Sequence, residues 1–285
     1  MTTTTTNRPT RDDRILEAHG RIDSAVRSIH DSTDWEKWLQ VSSKFHNYSF
    51  SNALLIMVQR PYATLIAGAG RWHTMKRWVS KGEKAIWIFA PMLVGWSAEE
   101  IAENPERIGT KKFLGFKTVP VFDVSQTEGQ PLPERPVHVT LLDGEGPEDG
   151  LAMIQKMIEA NGFAFRIAPL GEGANGLTDF TQKQVTITTG LSGAQAFKTG
   201  VHEIAHMLLH GPDGDRPERA CRTDAEVEAE SVAYIVCDHF GLQTGRYSFG
   251  YVAGWAARDS DAVLRAGQNI TSTAKKILSV FDPGA

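Results

Sequence analysis

The sequence predicts an α+β fold in two domains, and three observations carry that prediction. Helical spacing dominates the first hundred residues, whereas the second half reads α, β, β, α, α, α, an order that backs a small sheet with helices. Between them lies Gln126–Gly150, in which Gly and Pro take 8 of 25 positions, a density that punctuates elements instead of building them. Across this stretch the charge changes sign. Residues 1–125 carry 17 Lys and Arg against 13 Asp and Glu, and residues 126–285 carry 13 against 21. A basic half joined to an acidic half suggests two partners of different kinds. The expected layout is a disordered tail at 1–10, a first domain at 11–125, a linker at 126–150 and a second domain at 151–285.

In the first domain, Ile15, Ile22, Val26 and Ile29 form one helical stripe, and DWEKWLQVSSKF continues with a second helix. SFSNALLIMVQRP is a third helix, stopped by Pro61. RWHTMKRWV reads as a fourth, with Trp72, Met75 and Val79 on one side, and SKGEKAIWIFAPM as a turn and a strand. Residues 93–120 have no clear pattern beyond a short strand near KTVPVFDV. In the second domain, DGLAMIQKMIEANG is a helix closed by Gly162. FAFRIAP and QVTITTG read as strands, followed by the helix holding VHEIAHMLLH, a long helix through AEVEAESVAYIVCDHFG, and a final one over AVLRAGQNITSTAKKILSVF.

Composition sets bounds. With 285 residues, 41% hydrophobic and 22% charged, the chain can bury a sizeable core and resembles soluble globular proteins. No apolar run is long enough to span a bilayer, and the threonine-rich start lacks the apolar region of a secretory signal. The two cysteines, Cys221 and Cys237, cannot build a disulfide framework, so reduced thiols and a cytoplasmic location are expected.

The second domain carries the sharpest chemical signal. Residues four apart on a helix share a face, so His202 and His206 can aim both imidazoles at one ion. Glu203 sits beside them, placed to take a proton from a water. Val201, Ile204, Ala205 and Leu208 give the same helix a separate core face. A catalytic metal needs a third protein ligand and room for water. In EVEAE on the next helix, Glu226 and Glu230 are four apart, the first placed as ligand and the second as the carboxylate that orients a histidine. Swapping those roles, or using Glu228, stays open. Zn2+ is the expected ion, and a His/His/Glu set also accepts Mn2+ or Co2+. His210 is expected to interact with the negative end of its helix, and Cys237 to be a core thiol. Cys221 explains less than the glutamate pair does. QVTITTG is the candidate strand for aligning a peptide backbone. Tyr234, His239, Tyr247 and Tyr251 are the candidates for stabilising an oxyanion.

The first domain has a different character. From Lys37 to Ala90 there are eight basic residues against the single acid Glu83, together with nine aromatics. Positive charge follows phosphates and exposed rings stack on unpaired bases, so this window suits single-stranded nucleic acid. Solvated basic residues and core aromatics give the competing reading, and Trp87 and Phe89 look like one face of a strand.

HEIAHMLLH followed by EVEAESVAYIV resembles the ImmA/IrrE group of zincin metallopeptidases, gluzincins whose third ligand comes from the next helix. That resemblance implies His202, His206 and Glu226 as zinc ligands, Glu230 as the polar position after the third ligand, and Glu203 as general base for hydrolysis of a peptide bond by metal-bound water. FHNYSFSNALLIMVQRP, GAGRWHTMKRWVSKGEKAIWIFAPM and PVFDVSQTEGQPLP resemble the N-terminal domain of ArdC-type antirestriction proteins. The C-terminal YSFGYVAGWAARDSDAVLRAGQNITSTAKKIL is similar to helices of the same proteins, so the likeness covers roughly residues 30–285. Residues 93–117 match nothing in it. The resemblance implies a mobile-element protein that binds single-stranded DNA through its first domain and carries a gluzincin-like peptidase as its second. DNA contacts are then expected from Lys44, Phe45, Tyr48, Arg60, Arg71, Trp72, Lys76, Arg77, Lys81 and Lys84. The alternative is a regulatory zinc peptidase that cleaves a repressor, its first domain holding protein instead of DNA. A third option is a zinc site that is purely structural.

Overall fold

The computed structural model describes residues 10–29, 32–132, 146–171, 173–211, 222–242 and 260–282. The fold is α+β, and the chain divides into two compact units that are not contiguous in sequence. One comprises Met1–Ala25 with Leu54–Leu132, the other Val26–Ala53 with Pro133–Ala285. This corrects the expectation of an unbroken first domain at 11–125. Among the described residues, no helix is long and apolar enough to cross a membrane.

The first unit is built on a long antiparallel hairpin. Helix α1 (Arg11–Arg27) enters it with Asp12 and Asp13 in the first turn and Arg27 in the last, which complements the helix dipole. The Asp13 amide also donates to Thr10 Oγ1 at 3.2 Å, which supplies the cap. Strands β3 (Ile86–Val94) and β4 (Lys112–Asp123) pair antiparallel, and β1 (Ile66–Ala67) adds to the other side of β4. Ile86, Ile88 and Val121 form the buried face, whereas Trp87 and Phe89 are only half-buried on the other. Asp123 ties the sheet to its surroundings by accepting from the amides of Thr64 and Leu65 at 2.8 and 3.1 Å. Burial alone would raise the Asp123 carboxyl, but these bonds and that of Ser125 hold it below the ordinary range.

One local expectation fails here, and the strand expected near KTVPVFDV is present but longer. Helix α4 covers only Ala69–Thr74, and RWV continues as strand β2 (Arg77–Val79), paired with β5 (Thr127–Gly129). Lys76 takes φ 55°, a left-handed value that ends the helix and turns the chain. The unreadable stretch 93–120 holds the end of β3, the short helix α5 (Ala98–Glu103) with a Ser97–Glu100 capping box, and the larger part of β4, a strand of 12 residues. Leu93, Phe113, Leu114 and Phe116 are all at least half-exposed, so neither face of the hairpin end is buried enough to impose alternation.

The second unit contains α2 (Ser32–Lys44), α6 (Gly150–Ala160), α7 (Gly193–Leu209), α8 (Arg222–His239), α9 (Ser260–Phe281) and a sheet of β6 (Ala164–Ile167), β8 (Gln184–Ile187) and β7 (Gly176–Asp179). Helix α3 (Phe50–Gln59) crosses the division between the units. The reason α2 belongs here is visible in its tryptophans. Trp35 and Trp38 are fully buried, and the Trp35 indole donates to Ser231 on α8 at 2.9 Å. Phe50 lies against Gly267 of α9, where any Cβ would collide with its ring. Cys237 is fully buried, as a core thiol should be.

The order of the small sheet is β6-β8-β7, with β6 parallel and β7 antiparallel to β8. Strand β8 is therefore central. Val185, Thr186 and Ile187 are all buried, so Thr186 does not mark a solvent face. Strand β7, absent from the sequence reading, forms one edge.

Candidate metal centre

Helix α7 begins at Ser192, whose hydroxyl accepts from the Gln195 amide at 3.3 Å. Phe197, Val201, Ile204 and Ala205 are buried on its core side. His202, Glu203 and His206 look instead into a cavity of about 620 Å³, also lined by Glu226 and Glu230 of α8. The two imidazoles present their Nε2 atoms to each other at 3.0 Å. Glu226 Oε2 lies 3.4 Å from Nε2 of His202 and 3.6 Å from Nε2 of His206. The edge of a tetrahedron with zinc–nitrogen bonds is about 3.3–3.4 Å, so this triangle has the size that a shared ion requires. The donor set, two imidazoles and one carboxylate, fits a divalent metal.

The supporting contacts separate the three glutamates. Glu230 Oε2 lies 3.1 Å from His202 Nδ1, and its Oε1 accepts from Lys198 Nζ at 2.6 Å. Glu226 is thus next to both Nε2 atoms and Glu230 behind one ring. Glu228 is fully buried and faces elsewhere, 3.0 Å from His210 Nε2. This overturns the expected use of His210, whose ring engages Glu228 and His206 instead of the terminal carbonyls.

Charge follows geometry. Burial pulls the His202 imidazole down, but hydrogen bonds to Glu226 and Glu230 with the charge of Glu203 outweigh it and raise the group to about 9. Hydrogen bonds from His202 and then His206 hold the Glu226 carboxyl well below its usual range. Burial would raise Glu230, yet bonds from His202 and Lys198 keep it lowered.

Glu203 is 6% exposed and held at its tip, with Thr178 Oγ1 donating to its Oε2 at 2.7 Å. Gly176, on the same strand as Thr178, leaves the room this requires. A Cβ there would lie 2.7 Å from Thr199 Cγ2 and 2.8 Å from Glu203 Cγ. Thr178, Gly176 and Lys198 escaped the sequence reading. Lys198 had a signal, because it lies four residues before His202 on one helix face; the other two sit on an unrecognised strand.

Other expectations need correction. The strand beside the cavity is β7, whose Gly176, Leu177 and Thr178 line it, and not the central strand β8 of QVTITTG. Tyr234 and His239 do not line the cavity. Tyr234 hydrogen-bonds Gln40, and His239 Nε2 lies 3.1 Å from Asp282. Tyr247, Tyr251 and Cys221 lie outside the described residues.

The residues expected to touch DNA are divided between the two units. Lys44, Phe45 and Tyr48 belong to the second unit, and Phe45 is buried. Trp72 is fully buried, its indole donating to the Phe122 carbonyl at 2.9 Å, so its faces cannot stack on a base. The Arg77 guanidinium donates to Thr127 and Gln130, and Arg60 donates to Ser125. Arg71, Lys76, Lys81 and Lys84 are exposed. The exposed rings of the window are Trp78 at 51% and Tyr62 at 91%.

No family model matches the chain. It is 27% identical over 275 residues to an uncharacterized protein of Bacillus anthracis, a match covering 84% of this chain and 44% of that protein. The chain thus spans less than half the length of this relative. Two solved structures share the fold. The metal-free antirestriction ArdC protein from the R388 plasmid matches with TM-score 0.54 and 18% identity, over 82% of this chain and 85% of that one. The Mn(II)-bound structure of the same protein matches with TM-score 0.53 and 17% identity, over 84% and 86%. The fold is therefore that of ArdC.

Proposed function

We propose that the protein is an ArdC-type antirestriction protein, with a divalent-metal peptidase in its second unit and a single-stranded-DNA-binding surface on its first. The observation that carries the hydrolase reading is the His202, His206 and Glu226 triangle beside the buried carboxylate of Glu203, all facing one cavity. Those three residues would hold the ion, with zinc the expected metal and manganese, seen in the R388 protein, equally suited to the donors. When bound, such an ion polarises a carbonyl and acidifies a water.

The chain's own groups do the rest. Glu203 is the general base, and its contact with Thr178 fixes which oxygen points into the cavity. Lys198 and Glu230 hold the His202 ring in its ligating orientation. Strand β7 is a sheet edge on the cavity wall, so a peptide added alongside it gains main-chain hydrogen bonds and presents its carbonyl to the site. Glu203→Gln tests this reading. The variant should bind metal as the wild type does and lose at least about 100-fold in peptide hydrolysis. Hydrolysis undiminished in that variant refutes Glu203 as base.

For DNA, the support is the exposed basic set Arg71, Lys76, Lys81 and Lys84 together with Trp78 on the same connection. Single-strand affinity should fall with a log–log salt slope of about −0.7 per phosphate contact. Absence of measurable affinity at low salt sinks this half of the proposal and favours a protein partner.

A further inference from the structure

We infer that His210 and Glu228, anchored by Asn269, form a positioning relay for His206, an inference that rests on the metal centre proposed above. His210 lies one turn beyond His206 on the same helix, and their Nδ1 atoms are 2.9 Å apart. His210 Nε2 is 3.0 Å from Glu228 Oε2, and Asn269 Nδ2 donates to Glu228 Oε1 at 3.3 Å. The His210 and Glu228 side chains are 9% and 0% exposed, so water cannot stand in for these partners.

One order of donors along this chain leaves His206 able to ligate. In that order Asn269 Nδ2 and an N–H on His210 Nε2 both donate to Glu228. His210 Nδ1 then accepts from His206 Nδ1–H. His206 Nε2 is then the unprotonated nitrogen, and it is the atom facing His202 and Glu226. The reverse order places a proton on His206 Nε2 and closes it to a metal. The relay therefore selects the tautomer of His206 that ligates and fixes its ring plane.

The two ligand histidines are held by different devices. Glu230 reaches His202 directly, backed by Lys198. Glu228 points to another side of α8, and an additional imidazole bridges it to His206. This is the carboxylate–histidine–metal arrangement lengthened by one ring.

The test uses the full chain stripped of metal and titrated with Zn2+ against a competing chelator, with the visible spectrum of the Co2+ form as second readout. His210→Ala should weaken zinc affinity about 10- to 100-fold and alter the cobalt spectrum. His210→Gln keeps an acceptor toward His206 and a donor toward Glu228, so it should recover most of the affinity, whereas Glu228→Gln should lose about tenfold. A merely structural role would shift the melting temperature of the metal-free variants and leave affinity and spectrum of the folded protein unchanged. Zinc affinity within twofold of wild type in Glu228→Gln and folded His210→Ala overturns the relay while leaving the metal centre intact. A wild-type chain that takes up no metal overturns both.

Discussion

Raising the pH should tighten metal binding, and the size of the effect follows from His202. A ligand imidazole must be unprotonated, yet the neighbours Glu226, Glu230 and Glu203 outweigh burial and raise this group to about 9. Proton and metal then compete for one nitrogen. Apparent affinity at pH 7 lies about 100-fold below its high-pH plateau, and at pH 8 about tenfold below it. Glu226 adds no such penalty, because its carboxyl is held well below the usual range and is ionised throughout. Chelator-competition titrations between pH 7 and 9.5 measure the slope directly. The reasoning fails if affinity is flat from pH 7 to 9. The metal-free protein carries the matching signature. His202 is raised above its unfolded value of 6.5, so its stabilising contribution is complete below that pH and is lost as pH climbs through about 9. Melting temperature without metal should fall across that window.

Other substitutions read out the remaining parts. Thr178→Val removes the 2.7 Å bond to Glu203 and should lower hydrolysis about 10- to 100-fold without changing metal content; unchanged turnover argues against a positioning role. Gly176→Ala crowds Glu203 and Thr199 and should cost about 1–3 kcal/mol of stability, seen in thermal melts, together with most of the hydrolysis. Trp78→Ala should weaken single-strand binding by about 1–3 kcal/mol in fluorescence titrations while leaving the fold intact. Trp72→Ala should instead cost about 3–5 kcal/mol of folding stability, because that ring is core.

The metal helices were legible because their signal is local. A four-residue spacing on a helix places two side chains on one face whatever the rest of the chain does, and α7 carries an apolar stripe that fixes which face turns inward. What was not legible depends on partners distant in sequence. The stripe on α2 announces a buried face without saying that Ser231 and α8 receive its Trp35. Strand β7 begins with glycine, ends with aspartate and has four residues, so propensity argued against it while pairing with β8 made it. Helix α4 ends earlier than its spacing suggests, because a left-handed Lys76 leaves no mark on the hydrophobic pattern. Trp72 and Trp78 are alike in sequence, yet one is buried and the other half-exposed, a distinction created by tertiary packing alone. The same limit applies to His210 and Glu228, eighteen residues apart and joined only when α7 and α8 pack.

Metal analysis of the purified protein beside a Glu226→Ala variant bears most directly on the hydrolase proposal. The account predicts about one equivalent of a divalent ion in the wild type, consistent with a single three-ligand site, and little or none in the variant, with both chains folded. Equal metal content in the two proteins would contradict it.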